Sequence, residues 1–261
     1  MSAREGAPTR YRATVEYDGT DLAGFQLQRN ARTVQGELEA ALARLNGGER
    51  VVVDGAGRTD AGVHATGQVI AFTYRGTVPA TRLQRAVNAQ LPPDVAIRDL
   101  RRAPDGFQPR YAARYREYRY TVWNGPRSPY RERYALGVRS PLDIAAMASA
   151  GSAFEGRHDF SAFGRTDRSS VRTVHMVRIR EASGLVTIDV RANAFLRGQV
   201  RRMVAGLLQV GLGTIDEAAL RAALAGRGPA LNGAAAPAKG LCLRRVVLGR
   251  RAVDDDKEDE E

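Results

Sequence analysis

The sequence predicts an α+β protein of two tandem ferredoxin-like or RRM-like units, with mixed antiparallel sheets and a central basic cleft. Three observations carry this reading. Strand and helix patterns follow one another in a similar outline in both halves of the 261 residues. The hydrophobic content of 43% suits a folded core, yet no apolar run reaches the length of a membrane span. The charge is +11 and unevenly distributed, which calls for a polyanionic partner.

The elements follow in chain order. Residues 11–17 alternate apolar with polar side chains and read as a strand, closed by Asp18-Gly19. Thr33 opens a helix with Val34, Leu38, Ala41, Leu42 and Leu45 on one face, and Asn46-Gly47-Gly48 stops it. A short strand over 51–54 runs into a glycine-rich loop, and a strand over 68–74 leaves it. A helix over 81–91 ends at Pro92-Pro93, and a strand follows over 95–101. In the second half a strand spans 116–123, and Pro141 and Leu142 open a helix to about Phe154. Residues 174–180 and 185–191 form a hairpin about Ser183-Gly184. The strongest apolar helical pattern runs from Phe195 to Val210; a helix over 216–224 and a strand over 240–248 complete the chain. Residues 226–240 are rich in Gly, Ala and Pro and read as a long loop.

The domains expected from this order are 1–108 and 109–252, with a disordered acidic tail at 253–261. Residues 254–261 hold seven acids and one lysine. Without them 39 basic and 22 acidic residues remain, a body at +17. All but two of the cations, Lys239 and Lys257, are arginine. Coding bias explains arginine in place of lysine but not the excess of cations, and arginine both forks onto phosphate and stacks on bases. Residues 1–8 lack the apolar core of a leader, and Cys242 is the only cysteine. A cytoplasmic location is therefore expected.

Several chemistries are poorly supported. His64, His158 and His175 are far apart in sequence and have no zinc-site spacing. There is no phosphate-binding Gly-x-x-x-x-Gly-Lys loop, no dinucleotide fingerprint and no nucleophile elbow. What stands out is residues 57–65, Gly-Arg-Thr-Asp-Ala-Gly-Val-His-Ala. Asp60 lies there on a loop two residues from Arg58. It reads either as a turn-capping aspartate or as an ionised carboxylate available as nucleophile or base.

Two further patterns concern arginine. Arg197, Arg201 and Arg202 fall at the start of the helix expected from Phe195, where cations oppose the helix dipole. They read as solvated side chains or as a group serving phosphate or a carboxylate, with Arg201 the better candidate beside the apolar face. Residues 114–120, Arg-Tyr-Arg-Glu-Tyr-Arg-Tyr, place Arg116, Tyr118 and Tyr120 on one strand face. That face either stacks bases and holds phosphates or buries its rings in a core.

Taken together these residues resemble the tRNA pseudouridine synthase A family. The similarity runs through residues 16–20, 24–28, 33–38, 57–65, 118–120, 156–163, 193–196 and 237–241. The resemblance implies an isomerase that converts uridine to pseudouridine at positions 38, 39 and 40 of the tRNA anticodon stem-loop. It implies a homodimer that needs neither metal nor organic cofactor. It assigns catalysis to Asp60, Tyr118 and Arg201, with Arg201 paired to the aspartate. Tyr118, Arg58, Arg197, Arg116 and Leu241 are then candidates for substrate binding: Arg58 for the phosphate of an extruded strand, and Leu241 or Leu243 for an apolar wall.

Some positions depart from the family pattern. Phe25 stands where tryptophan is common, Gly198-Gln199 where His-Met is frequent, and Arg202 where Asn is frequent. Inside a helix Gly198 is expected to cost about 1 kcal/mol against alanine.

The implied chemistry breaks the glycosidic bond, turns the uracil and joins C5 to C1′, after the nucleotide has left its stack. Asp60 either attacks the sugar carbon or acts as base in an elimination, and Tyr118 stacks on the uracil or relays a proton. Two other classes compete. A non-catalytic RNA-binding protein accounts for the charge but not for Asp60, and an RNA-modifying transferase requires a donor-binding loop that the sequence does not show.

Overall fold

The computed structural model describes residues 7–76, 78–165, 169–227 and 234–249. They fall into two compact units. The first holds residues up to Arg114 and, after a long excursion, those from Leu243; the second is Tyr115–Cys242. The acidic tail expected at 253–261 and residues 228–233 of the expected loop lie outside the described residues.

The first unit begins with β1 (Pro8–Tyr17), α1 (Val34–Leu45), β2 (Val53–Gly55) and β3 (His64–Arg75). It continues with α2 (Ala80–Gln90), β4 (Val95–Arg102) and the single turn α3 (Pro109–Ala112). β1 runs antiparallel between β3 and β4, and β2 pairs with β3. Alternation on β1 buries Tyr11, Ala13, Val15 and Tyr17. Tyr11 faces Phe72 in register and stacks on it at 5.9 Å. α1 is capped by the Thr33 side chain, which accepts from Gly36 N. It buries Val34, Leu38, Ala41 and Leu42 as its spacing predicts; it also buries the polar Gln35 and Glu39.

The second unit contains β5 (Ala113–Asn124), β6 (Leu136–Val138), α4 (Ile144–Ser152), β7 (Gly156–Asp159) and β8 (Val171–Ala182). They are followed by β9 (Leu185–Ala192), α5 (Gln199–Gly211) and α6 (Glu217–Leu224). Its sheet has the order β5-β9-β8-β7 with antiparallel pairing throughout, and β6 adds to β5 in parallel. Ser183 and Gly184 both have positive φ, the backbone that a two-residue hairpin between twisted strands requires. Phe154, Phe160 and Phe163 form a fully buried cluster, the first and last ring edge-to-face at 5.1 Å. The final strand, β10 (Leu241–Leu248), neighbours β3 through its residues in the first unit. At Gly67 a Cβ would come within 2.2 Å of the Arg244 carbonyl oxygen.

The α+β class holds, with the last strand running back into the first unit. One element differs in a way that matters. The helix expected from Phe195 starts four residues later, at Gln199. Gly198 sits at φ +74°, a left-handed conformation that cannot continue a helix. Before it Arg197 exchanges two backbone hydrogen bonds with Arg165, each 3.2 Å. The Gln199 side chain reaches back to accept from Leu196 N at 2.8 Å. Arg197 therefore precedes the helix rather than lying in its first turn. Gly198 is favoured where it stands, and the penalty expected of a helix-interior glycine does not apply.

Candidate active site

Asp60 lies on the loop between β2 and β3, and that loop is fixed at nearly every residue. Its entry is held by Ala56 N donating to Val69 O at 2.8 Å and by the buried Gln68, whose Nε2 donates to Gly57 O at 2.8 Å. Next to the aspartate, the Thr59 carbonyl accepts from Phe25 N at 3.1 Å, and the Thr59 hydroxyl shares a buried 2.8 Å hydrogen bond with Tyr17. Beyond it Val63 N donates to Asp60 O, and Gly62 N to Leu22 O, both at 3.2 Å. Asp60 itself is half-buried and Arg58 is exposed. A loop so constrained fixes the Asp60 backbone from which the carboxylate projects, and a fixed backbone is what positioning a nucleophile or base requires.

Glycines make the close approaches possible. Gly24 has φ +98°, and a Cβ there would stand 2.7 Å from the Thr59 carbonyl oxygen. At Gly19 a Cβ would meet the Val63 carbonyl oxygen at 2.1 Å. Gly19 N also donates to Nδ1 of the buried His64 at 3.0 Å. His64 thus braces the Asp18-Gly19 turn.

Behind the 24–27 turn stands a polar network on α1. Gln35 Oε1 accepts from Gln26 Nε2 at 2.7 Å and from Leu27 N at 2.9 Å. Its Nε2 donates to Glu39 Oε1 and to Val53 O. Glu39 in turn accepts from Val53 N and Arg50. Two buried polar side chains one helical turn apart therefore tie α1 to the turn that grips Thr59 and to the strand that enters the loop. The sequence reading assigned no role to Tyr17, Thr59, Gln35 or Glu39. For Gln35 and Glu39 the signal in the sequence is a polar pair on an otherwise apolar helix face; Tyr17 and Thr59 carry none.

The remaining candidates belong to the second unit. Arg116, Tyr118 and Tyr120 share the buried face of β5. Arg116 donates to Asn193 O at 2.7 Å, and Tyr118 meets Phe195 edge-to-face at 5.3 Å. Tyr120 is wholly buried and donates to Pro237 O at 2.9 Å, so its ring belongs to the core and does not stack a base. Burial pushes its phenol well above the usual tyrosine range, with Arg201 opposing.

Arg201, in the first turn of α5, donates through Nε to Ala236 O at 2.6 Å and accepts from Ala236 N through its own carbonyl at 3.0 Å. Gly240 packs on Tyr120, where a Cβ would come within 2.6 Å of Cζ. Arg201 and Tyr120 thus hold the 236–240 segment that leads to Leu241, itself buried. Arg197 is exposed. Asp60 and Arg58 share one loop of the first unit, whereas Arg116, Tyr118, Arg197, Arg201 and Leu241 are in the second. Among the described residues no group of three His, Cys, Asp or Glu side chains has the arrangement of a metal site.

Comparison with known proteins bears on most of the chain. The family described as tRNA pseudouridine synthase matches residues 13–112 and 150–247. The tRNA pseudouridine synthase A of Syntrophotalea carbinolica is 43% identical over 240 residues, covering 90% of this chain and 95% of the relative. That of Brevibacillus brevis is 42% identical over 242 residues, covering 91% and 99%. A solved archaeal box H/ACA sRNP Nop10-Cbf5 complex aligns with 76% of this chain and 44% of that one at 15% identity and TM-score 0.32.

Proposed function

The chain belongs to the tRNA pseudouridine synthase family, and from that premise we propose that it isomerises uridine to pseudouridine at positions 38, 39 and 40 of the tRNA anticodon stem-loop, with Asp60 as nucleophile or base. That it is an isomerase acting on tRNA follows from the family itself. The observation that carries the reading of Asp60 is its loop, braced on Tyr17, Leu22, Phe25 and Gln68. A turn-capping aspartate needs no such scaffold.

The reaction is atom-neutral. The bond from uracil N1 to C1′ breaks, the ring turns, and C5 bonds to C1′. The proton leaves C5, and N1 ends protonated. Asp60 either bonds C1′ as the base departs or removes a sugar proton to start an elimination. Tyr118 takes the role at the uracil, by stacking or proton relay, and Arg201 that of the cation serving the aspartate. Arg58, exposed on the same loop, suits the phosphate of the extruded strand. Arg116, Arg197 and Leu241 complete the proposed substrate contacts, and the enzyme acts as a cytoplasmic homodimer without metal or organic cofactor.

The test uses tRNA tritiated at uracil C5 and no added cofactor. Release of tritium by the unaltered chain and none by Asp60→Asn is the expected result. Release that survives Asp60→Asn removes the aspartate from the chemistry. Mapping the pseudouridines decides the positions.

A further inference from the structure

The segment joining β5 to β6 is built to hold an aromatic side chain in solvent. Tyr130 is 92% exposed, the most exposed large hydrophobic side chain among the described residues, and Tyr134 is 51% exposed. The backbone beneath them is not loose. Trp123 Nε1 donates to Pro126 O at 2.6 Å, and Asn124 Nδ2 donates to Val138 O and Ser140 O at 2.9 and 2.8 Å. Gly125 packs on the Trp123 ring, where a Cβ would come within 2.9 Å. The Arg131 guanidinium lies over that ring at 4.1 Å. Arg131 N donates to Ser128 O, and Ala135 N to Arg131 O, both at 3.0 Å. Lys239 binds Glu132 and ties the turn to the 236–240 segment.

The charge is one-sided. Arg127, Arg131 and Arg133 accompany Tyr130 and Tyr134 within eight residues, against Glu132 alone. Glu132 is already matched by Lys239 and drawn further toward ionisation by Arg127. We propose that this loop is a docking surface for a strand of the tRNA, with an unpaired base stacked on Tyr130 and phosphates on Arg127, Arg131 and Arg133. The proposal rests on tRNA being the substrate, and on no residue assigned above. An exposed ring presented by a fixed turn loses little conformational entropy when a base stacks on it. A guanidinium stacked on indole keeps its N–H edges for phosphate oxygens. A second copy of the chain is the less suitable occupant, because a two-fold contact would oppose this cationic patch to its own equivalent.

The experiment measures equilibrium binding of an unmodified tRNA transcript to the full chain over a salt series, with sedimentation on the same samples. Tyr130→Ala is expected to raise Kd about tenfold, and Tyr130→Phe to bind as the unaltered chain does. Arg127→Gln is expected to reduce the slope of log Kd against log salt by about 1. Tyr130→Ala with unaltered Kd overturns the proposal, as does a loss of affinity that follows only a dimer-to-monomer shift. Should Tyr130→Ala fail to fold, an unchanged salt slope for Arg127→Gln overturns it. Binding that responds as expected while no tritium is released would remove the isomerase reading and leave this surface standing.

Discussion

The hydroxyls of Tyr17 and Thr59 lie 2.8 Å apart in the interior of the first unit, and the residue after Thr59 is Asp60. A pair of buried hydroxyls is a directional contact, so it sets the Asp60 backbone where apolar packing alone would leave it free to shift.

Tyr17→Phe removes one partner and leaves the other buried. Stability should fall by about 1–3 kcal/mol in denaturant unfolding. In steady-state assays kcat should fall more than KM for tRNA rises, since the loss is of positioning. Thr59→Ser, which keeps the hydroxyl, should retain most of the activity.

Gly24→Ala tests the clasp from the other side. The methyl group would face the Thr59 carbonyl oxygen at 2.7 Å in a backbone of φ +98°. Backbone cannot move aside as a side-chain tip can, so the loop must shift. A fall in kcat of about 10²-fold is expected, with tRNA affinity in a binding assay little changed. Full activity in this variant would mean that the loop tolerates displacement.

Asp94 gives a pH dependence with a definite sign. Arg32 holds it through two hydrogen bonds of 2.7 Å and keeps its carboxyl below the usual range, against a smaller opposing effect of burial. A depressed folded-state pKa stabilises above the unfolded value, and that stability disappears as pH falls through the folded one. Asp94→Asn should therefore be less stable than the unaltered chain at pH 7 by about 1 kcal/mol. The gap should start to close below pH about 4 and vanish at lower pH, as read by urea midpoints at each pH.

Gly198→Ala separates the sequence reading from the structure by sign. In a helix interior alanine would stabilise; at φ +74° it should destabilise by about 1 kcal/mol. Chemical denaturation of the two chains decides between the signs.

These contrasts mark what the sequence reveals. β1, α1, the strands flanking Asp60 and the β8–β9 hairpin are legible because period, cap and turn residues agree: Thr33 caps α1, and Ser183-Gly184 turns the hairpin. The start of α5 is not. Phe195 and Leu196 continue an apolar spacing that looks helical, and only the backbone at Gly198 shows otherwise. β6, β7 and α3 are three or four residues long, too short to carry a period. Asp60 itself was legible as a motif, and Arg58 with it. Their scaffold was not, because Tyr17, Gly24 and Gln68 reach the loop, and Gln35 the turn behind it, from separate stretches of chain, and spacing along a sequence does not report such convergence.

The return of residues 243–248 to the first unit gives biosynthesis an order. A ribosome delivers Asp60 and its braces early, yet the strand that lies beside β3 emerges only after the whole second unit has been made. Until then one long edge of β3 has no neighbour but the three-residue β2. An unpaired edge can pair with other chains. A nascent chain stalled before Leu243 would thus carry the Asp60 loop on an unfinished sheet, and synthesis of residues 243–248 would supply the missing neighbour of β3.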